Sequence, residues 1–192
     1  MELLNPLISE YTWANKPSVA PLGQIICVTN VGENGSLWRG NGTKWVRLSQ
    51  ILFYDLTAAV ALTGTTLETT LVTITIPAGL IGSSGKVKLY PLWSVTNNAN
   101  NKTVRVKLGG STGYFLQSSG YAQLSNLVIF RNFNSESVQK VSSGMAAGLG
   151  STTGAFTSLT IDTSAATTLT ITGQLQVGTD TMTLEGLFVE IV

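Results

Sequence analysis

Between Thr69 and Gly110 the sequence reads TTLVTITIPAGLIGSSGKVKLYPLWSVTNNANNKTVRVKLGG, three alternating apolar and polar runs divided by two polar breaks. Val72, Ile74 and Ile76 fall on one side of the first run, with Leu71, Thr73 and Thr75 on the other. Val87, Leu89, Trp93 and Val95 share a side in the second, and Val104, Val106 and Leu108 in the third, opposite Thr103, Arg105 and Lys107. A side-chain repeat of two, rich in β-branched residues, requires strands with one face in a core and one in water. The break from Asn97 to Asn101 suits a turn, because asparagine tolerates left-handed backbone and hydrogen-bonds its own main chain. The fold class that follows is all-β and antiparallel.

Further strands are expected at Tyr114–Ser118, Asn126–Asn132, Val138–Ser142, Thr157–Thr163, Thr167–Val177 and Thr181–Ile191. In the last of these Leu187, Val189 and Ile191 alternate with Phe188 and Glu190. About eight or nine strands is the number of a jelly-roll sandwich, assigned here to residues 69–192. Pro91 interrupts its run, so that position is expected at an edge or a bulge. Residues 22–50 read as a small β-meander, with Asn34-Gly35 and Asn41-Gly42 as hairpin turns positive in φ at both central positions. So small a sheet is marginal alone and needs a partner, the main domain or another subunit. Residues 51–68 read as linker, with Ala58–Leu62 either a helical turn or a first strand. Residues 1–21, broken by Pro6, Pro17 and Pro21, read as an irregular N-terminal arm, docked on a neighbour or loosely ordered. Gly144–Gly154 is a long loop of small residues, either an apical ligand loop or a connection between sheets.

Charged residues make up only 11% of the chain and the formal net charge is +1. No bulk field favours nucleic acid or an anionic membrane. Threonine, serine, asparagine and glycine supply the polarity instead, and such a surface is buried against copies of itself at low desolvation cost, which points to an oligomer. No apolar run approaches the ~18 residues that span a bilayer, so no membrane insertion is expected. The N-terminus lacks a basic region followed by an apolar one, so no signal peptide is expected.

Histidine is absent, which removes Ser-His-Asp and Cys-His catalysis and the commonest zinc ligand. The acidic residues are Asp55, Asp162, Asp180 and seven glutamates, no two close in sequence, so no carboxylate pair announces hydrolysis. No catalytic residue, metal site or cofactor is expected, and the chain is read as not an enzyme. Cys27, the sole cysteine, sits in an apolar run and reads as a small buried hydrophobe. Gly82-Ser83-Ser84-Gly85-Lys86 is a turn before a strand and not a phosphate loop, since Leu80 stands at the first glycine position and Val87 where Ser/Thr is needed. Asp162, Asp180 and Glu185 lack the clustered oxygen ligands of a calcium loop and read as solvated strand ends.

Aromatic residues carry the remaining signal. In Gly113-Tyr114-Phe115-Leu116-Gln117, consecutive rings on a strand point to opposite faces, so one faces out. An exposed ring offers a flat apolar face to sugar C–H groups while amide side chains partner hydroxyls. Tyr114, Phe115 and Tyr121, with the outward Arg105 and Lys107, are therefore the candidate ligand-binding residues.

Two stretches carry a resemblance. Gly23–Leu48, with Thr29-Asn30-Val31-Gly32, Gly35-Ser36-Leu37-Trp38-Arg39 and Asn41-Gly42-Thr43-Lys44-Trp45-Val46, resembles a short module near the N-terminus of tailed-bacteriophage tail-fibre and head-fibre proteins. Ile76-Pro77-Ala78-Gly79-Leu80 and Leu92-Trp93-Ser94 through Gly110 are similar to their C-terminal domain. The resemblance implies a homotrimeric jelly roll shaped like the tumour necrosis factor fold, made in the host cytoplasm and carried on the virion. It implies a fibre or knob attaching the particle to a host-surface glycan, or alternatively a capsid decoration or head-fibre protein bound to the major capsid lattice. Other virion proteins would be met through the N-terminal region, with Tyr11, Trp13, Trp38 and Trp45 at the virion-attachment or subunit contact.

Overall fold

The computed structural model describes residues 9–29, 36–48, 51–141 and 156–192. Asn34-Gly35 and the loop Gly144–Gly154 lie outside the described residues. Four short strands come first: β1 (Ser9–Tyr11), β2 (Ile25–Val28), β3 (Ser36–Gly40) and β4 (Trp45–Arg47). The main body follows with β5 (Ile51–Asp55), β6 (Val60–Thr63), β7 (Thr69–Ile76), β8 (Lys86–Val95), β9 (Lys102–Leu108) and β10 (Ser111–Ser118). It continues with β11 (Gln123–Ser125), β12 (Val128–Asn132), β13 (Gln139–Val141), β14 (Thr157–Leu159), β15 (Thr167–Leu175) and β16 (Thr181–Ile191).

The protein is all-β. One sheet has the order β10-β9-β15-β7, and a larger one has the order β14-β13-β12-β8-β16-β5, with β11 added to β8 and β6 to β16. Both are antiparallel throughout. The chain crosses between them from β6 to β7, β7 to β8, β8 to β9, β10 to β11, β14 to β15 and β15 to β16, which is jelly-roll wiring. The alternation read from the sequence sets the faces. Val72, Ile74, Ile76, Val87, Leu89, Trp93, Val104, Val106, Leu108, Leu187, Val189 and Ile191 are all buried between the sheets. Val177 breaks the pattern, because β15 ends at Leu175 and leaves it exposed in the turn that follows.

Residues 51–68 are more than a linker. They contain β5 and β6, and both pair with β16, Val60 lying opposite Leu184 and Asp55 opposite Phe188. Pro91 sits neither at an edge nor at its own bulge. It lies within β8, between β16 and the strands on the other side, opposite Leu187. On that other side the partner strand is interrupted, β11 ending at Ser125 and β12 starting at Val128, so the ladder there asks no bond of a residue without an N–H.

The N-terminal arm also contributes structure, since β1 pairs in parallel with β2 and makes the small sheet four-stranded. Cys27 is half-buried rather than buried, because Ile26 and Val28 take the inward positions of β2. At Asn41-Gly42 only Gly42 has positive φ. Asn41 instead caps the loop with its side-chain carbonyl, which accepts from the backbone N–H groups of Thr43 at 3.0 Å and Lys44 at 2.9 Å. That local bond replaces the left-handed backbone a two-residue hairpin requires.

The small sheet packs on the sandwich. Trp38 is buried, and its ring centroid lies 4.9 Å from that of Trp13. Trp13 Nε1–H donates to the Ala78 carbonyl at 2.8 Å, tying the segment after β1 to the turn after β7. Trp45 Nε1–H donates to the Pro17 carbonyl at 2.7 Å, and Tyr11 packs half-buried against the same core. These four aromatic side chains are engaged within this chain, joining arm, small sheet and sandwich.

Candidate functional site

The outer face of the four-stranded sheet carries the side chains that the inner alternation leaves over. Register brings Phe115 of β10 opposite Arg105 of β9, and Arg105 opposite Thr172 of β15. The next row runs Gln117, Thr103, Gln174. Together with Asn101 and Gln176, which follow at the same end, these rows line a groove of about 310 Å³. The wall and floor therefore hold one aromatic ring, one guanidinium and four carboxamides.

The aromatic pair is divided as strand geometry demands. Phe115 faces out and is 46% exposed, whereas Tyr114 turns into the core at 3%. Its inward turn removes Tyr114 as a ligand-binding residue. Burial pushes its phenol up to about 12, against the lowering effect of the Asn126 side chain. Among the described residues the hydroxyl is a buried group with no partner in hydrogen-bonding geometry. What aims Phe115 outward is the irregularity between Thr112 and Tyr114, at Gly113. A Cβ on Gly113 would stand 2.3 Å from Phe130 Cε1, so the strand presses against the opposite sheet where only glycine fits.

Arg105 is held by three neighbours. Its guanidinium carbon lies 5.4 Å from the Phe115 ring centroid, a cation–π distance. Its Nη1 donates to Gln174 Oε1 at 3.1 Å and stands 3.4 Å from Glu68 Oε2. Gln174 is fixed at its other end, where Nε2 donates to the Thr66 carbonyl at 3.1 Å. Lys107 points away from the groove to Glu68 Oε1 at 2.6 Å, and the Thr172 hydroxyl donates to the same oxygen at 2.7 Å. The Lys107 bond foremost, then Thr172 and the Arg105 charge, hold the Glu68 carboxyl below the usual carboxylate range against the effect of burial. Tyr121 is 52% exposed in the loop after β10, and no contact brings it to the groove.

The groove ends at a polar knot. Lys102, the residue before Thr103, is 1% exposed and its ammonium meets Asp180 Oδ2 at 3.2 Å. It also donates to Asn98 Oδ1 and, at 2.9 Å, to the Asn100 carbonyl. The Asn98 and Asn100 amides donate to the two Asp180 oxygens at 2.8 and 3.1 Å. The Asn98 bond first, then those from Asn100 and Lys102, hold Asp180 below its ordinary value. The carboxylate is sealed from water. Asp180 is therefore not a solvated strand end. Asp162 is exposed but lies in the connection between β14 and β15 and not at a strand end, its carboxylate accepting from the Ser164 backbone at 2.9 Å, and Glu185 lies within β16, where it accepts from the Ser94 hydroxyl.

A larger concavity of about 860 Å³ lies between the small sheet and the sandwich, lined by Trp13, Lys16, Trp38 and Trp45 and by the backbone around Ala78 and Gly82. Size alone does not favour it. The N–H groups of Trp13 and Trp45 are already bonded within the chain, and Lys16 lies over the Trp13 ring at 4.2 Å. Among the described residues no group of three or more Cys, Asp or Glu side chains is placed to hold a metal ion.

No family model matches this sequence. No curated protein matches it either. Among solved structures, the CBM36-1 domain of a multidomain xylanase from the hindgut metagenome of Trinervitermes trinervoides is 15% identical, with a TM-score of 0.37 over 67% of this chain and 74% of that one. Infectious bursal disease virus, Gt strain, gives 12% identity and a TM-score of 0.36 over 92% of this chain and 41% of that one. The insecticidal delta-endotoxin Cry8Ea1 of Bacillus thuringiensis gives 13% and 0.35 over 70% and 19%. At such scores none of the three says what this chain binds.

Proposed function

We propose that this chain is a non-catalytic attachment protein of a tailed-phage virion, a homotrimer whose sandwich forms an exposed knob and binds saccharide on the host surface. The observation that carries the reading is the groove across β10, β9 and β15. There an exposed Phe115 ring adjoins Arg105, Gln117 and Gln176 on a rigid sheet. A saccharide needs that combination, an apolar face for its C–H side and fixed donors and acceptors for its hydroxyls. The resemblance of Gly23–Leu48 and of the Ile76–Gly110 segments to phage fibre proteins supplies the virion setting.

The outer face of the other sheet supports assembly with copies of the chain. Tyr90 and Phe188 stack there with centroids 4.4 Å apart, next to the exposed Leu92 and Leu127. The Lys88–Glu190 pair at 3.8 Å borders them. That face thus carries an apolar patch, which a trimer can bury while its three grooves point outward. Three weak sites on one rigid body bind a glycan-coated surface far more tightly than one. The test is an oligosaccharide array with the purified protein, followed by calorimetry on Phe115→Ala. Binding that disappears in the variant supports the reading, and a wild-type protein that ignores every saccharide overturns it.

A further inference from the structure

We propose that the saccharide taken by this groove is acidic, with its carboxylate received by Arg105. The inference rests on the saccharide reading above and names the class of sugar. Arg105 is the one charged residue among those lining the groove, the others being Asn101, Thr103, Phe115, Leu175 and the three glutamines. Its nearest counter-charge, Glu68, is shared. Lys107 and the Thr172 hydroxyl hold Oε1 at 2.6 and 2.7 Å, while Arg105 reaches only Oε2, at 3.4 Å. Two cations facing one anion leave a positive charge over, and it lies on the side chain that faces the groove.

Geometry selects the carboxylate. A guanidinium presents parallel N–H donors in a fixed fork that matches the two oxygens of a carboxylate. Among the described residues only Nη1 is committed, to Gln174 and Glu68, so the rest of the fork remains open to a ligand. Phe115 lies opposite Arg105 in the ladder, placing the apolar face of a sugar ring beside its own acidic group. The Gln117 amide, one row further on, stands where a ring hydroxyl of the same sugar or the next would fall. Lys107 acts as a positioning residue. It does not line the groove, and it draws Glu68 away from Arg105.

The experiment compares neutral, uronic-acid, sialic-acid and sulfated oligosaccharides on wild-type protein and on Arg105→Gln, Phe115→Ala, Glu68→Gln and Lys107→Met, each first checked by melting to be folded. Carboxylated sugars should bind at least about tenfold more tightly than neutral ones of the same length, the factor one charge-assisted hydrogen bond supplies. Arg105→Gln should erase that preference, lowering binding of acidic sugars at least about tenfold more than that of neutral ones, whereas Phe115→Ala should lose both. Glu68→Gln should strengthen carboxylate binding and Lys107→Met weaken it, a pair of opposite shifts that a purely structural role would not produce. Neutral sugars binding as well as acidic ones, sulfated sugars alone binding, or a preference that survives Arg105→Gln would each overturn the acidic assignment and leave the saccharide reading standing. Binding of no saccharide at all takes down both.

Discussion

Lys102 meets Asp180 at 3.2 Å, both side chains shielded from water, at the end of the sandwich where the groove stops. Each is also bonded by Asn98 and Asn100, so two side chains from the turn before β9, one from the start of β9 and one from the turn before β16 form a closed set. Removing one partner of such a pair strands the other, while removing both does not. Lys102→Met and Asp180→Asn should each lower the melting temperature. The double variant should lose clearly less than the two losses added. Additive losses would mean that the two groups act separately.

Acid should weaken the fold through Glu68 and Asp180. Both carboxyls lie below their ordinary values of 4.5 and 3.8 in the folded chain. The unfolded chain therefore binds protons first, and stability present above about pH 4.5 falls as pH drops through the folded values. Chemical denaturation from pH 6 down to pH 3 measures this. Glu68→Gln and Asp180→Asn should each flatten the slope.

The alkaline limb belongs to Tyr114. Its phenol is held up to about 12 in the folded chain, so the unfolded chain ionises first and stability falls as pH rises beyond about 10. Tyr114→Phe should remove that loss. Because the hydroxyl is buried without a hydrogen bond, the same variant should be neutral or stabilising at pH 7 by thermal melting. A destabilised Phe variant would mean the hydroxyl has a partner.

Gly113→Ala probes the contact beneath the groove. The added methyl would overlap the Phe130 ring and meet Val141 Cγ2 at 3.1 Å, and overpacking of this kind costs about 1–3 kcal/mol. Denaturant unfolding should give a lower midpoint, and saccharide binding should weaken as Phe115 shifts. An unchanged midpoint would show that β10 is free to move outward.

Trp13→Phe removes the N–H that reaches Ala78 and keeps most of the contact with Trp38. One such bond contributes about 0.5–1.5 kcal/mol. Hydrogen exchange should quicken in β1 to β4 and leave β7 to β16 unchanged. A uniform change across all strands would show one cooperative unit.

Strand faces were legible because burial follows parity: Val104 and Val106 in, Arg105 out. The same parity places Lys102 on the inward side, and a charge at a core position was the visible sign of the Asp180 knot. Its partner was not visible, since Asp180 is far along the chain and only the folded turn brings it near. The groove was half legible. Phe115 and Arg105 could be read from β9 and β10 alone, but Gln174 and Glu68 join them through the register of β15 and the turn before β7, which no local pattern states. Residues 51–68 misled for a similar reason. Short strands at β5 and β6 carry weak alternation and exist because β16 offers them an edge.

That dependence has a kinetic consequence. β16 is flanked by β8 on one side and by β5 and β6 on the other, so residues 51–63 have no ladder until residues 181–191 have been made. Loops of more than a hundred residues must close before the larger sheet exists, and such distant pairings fold slowly. A nascent chain stopped short of Thr181 would leave one edge of β8 open and residues 51–63 unpaired, the state in which β-rich chains stick to one another.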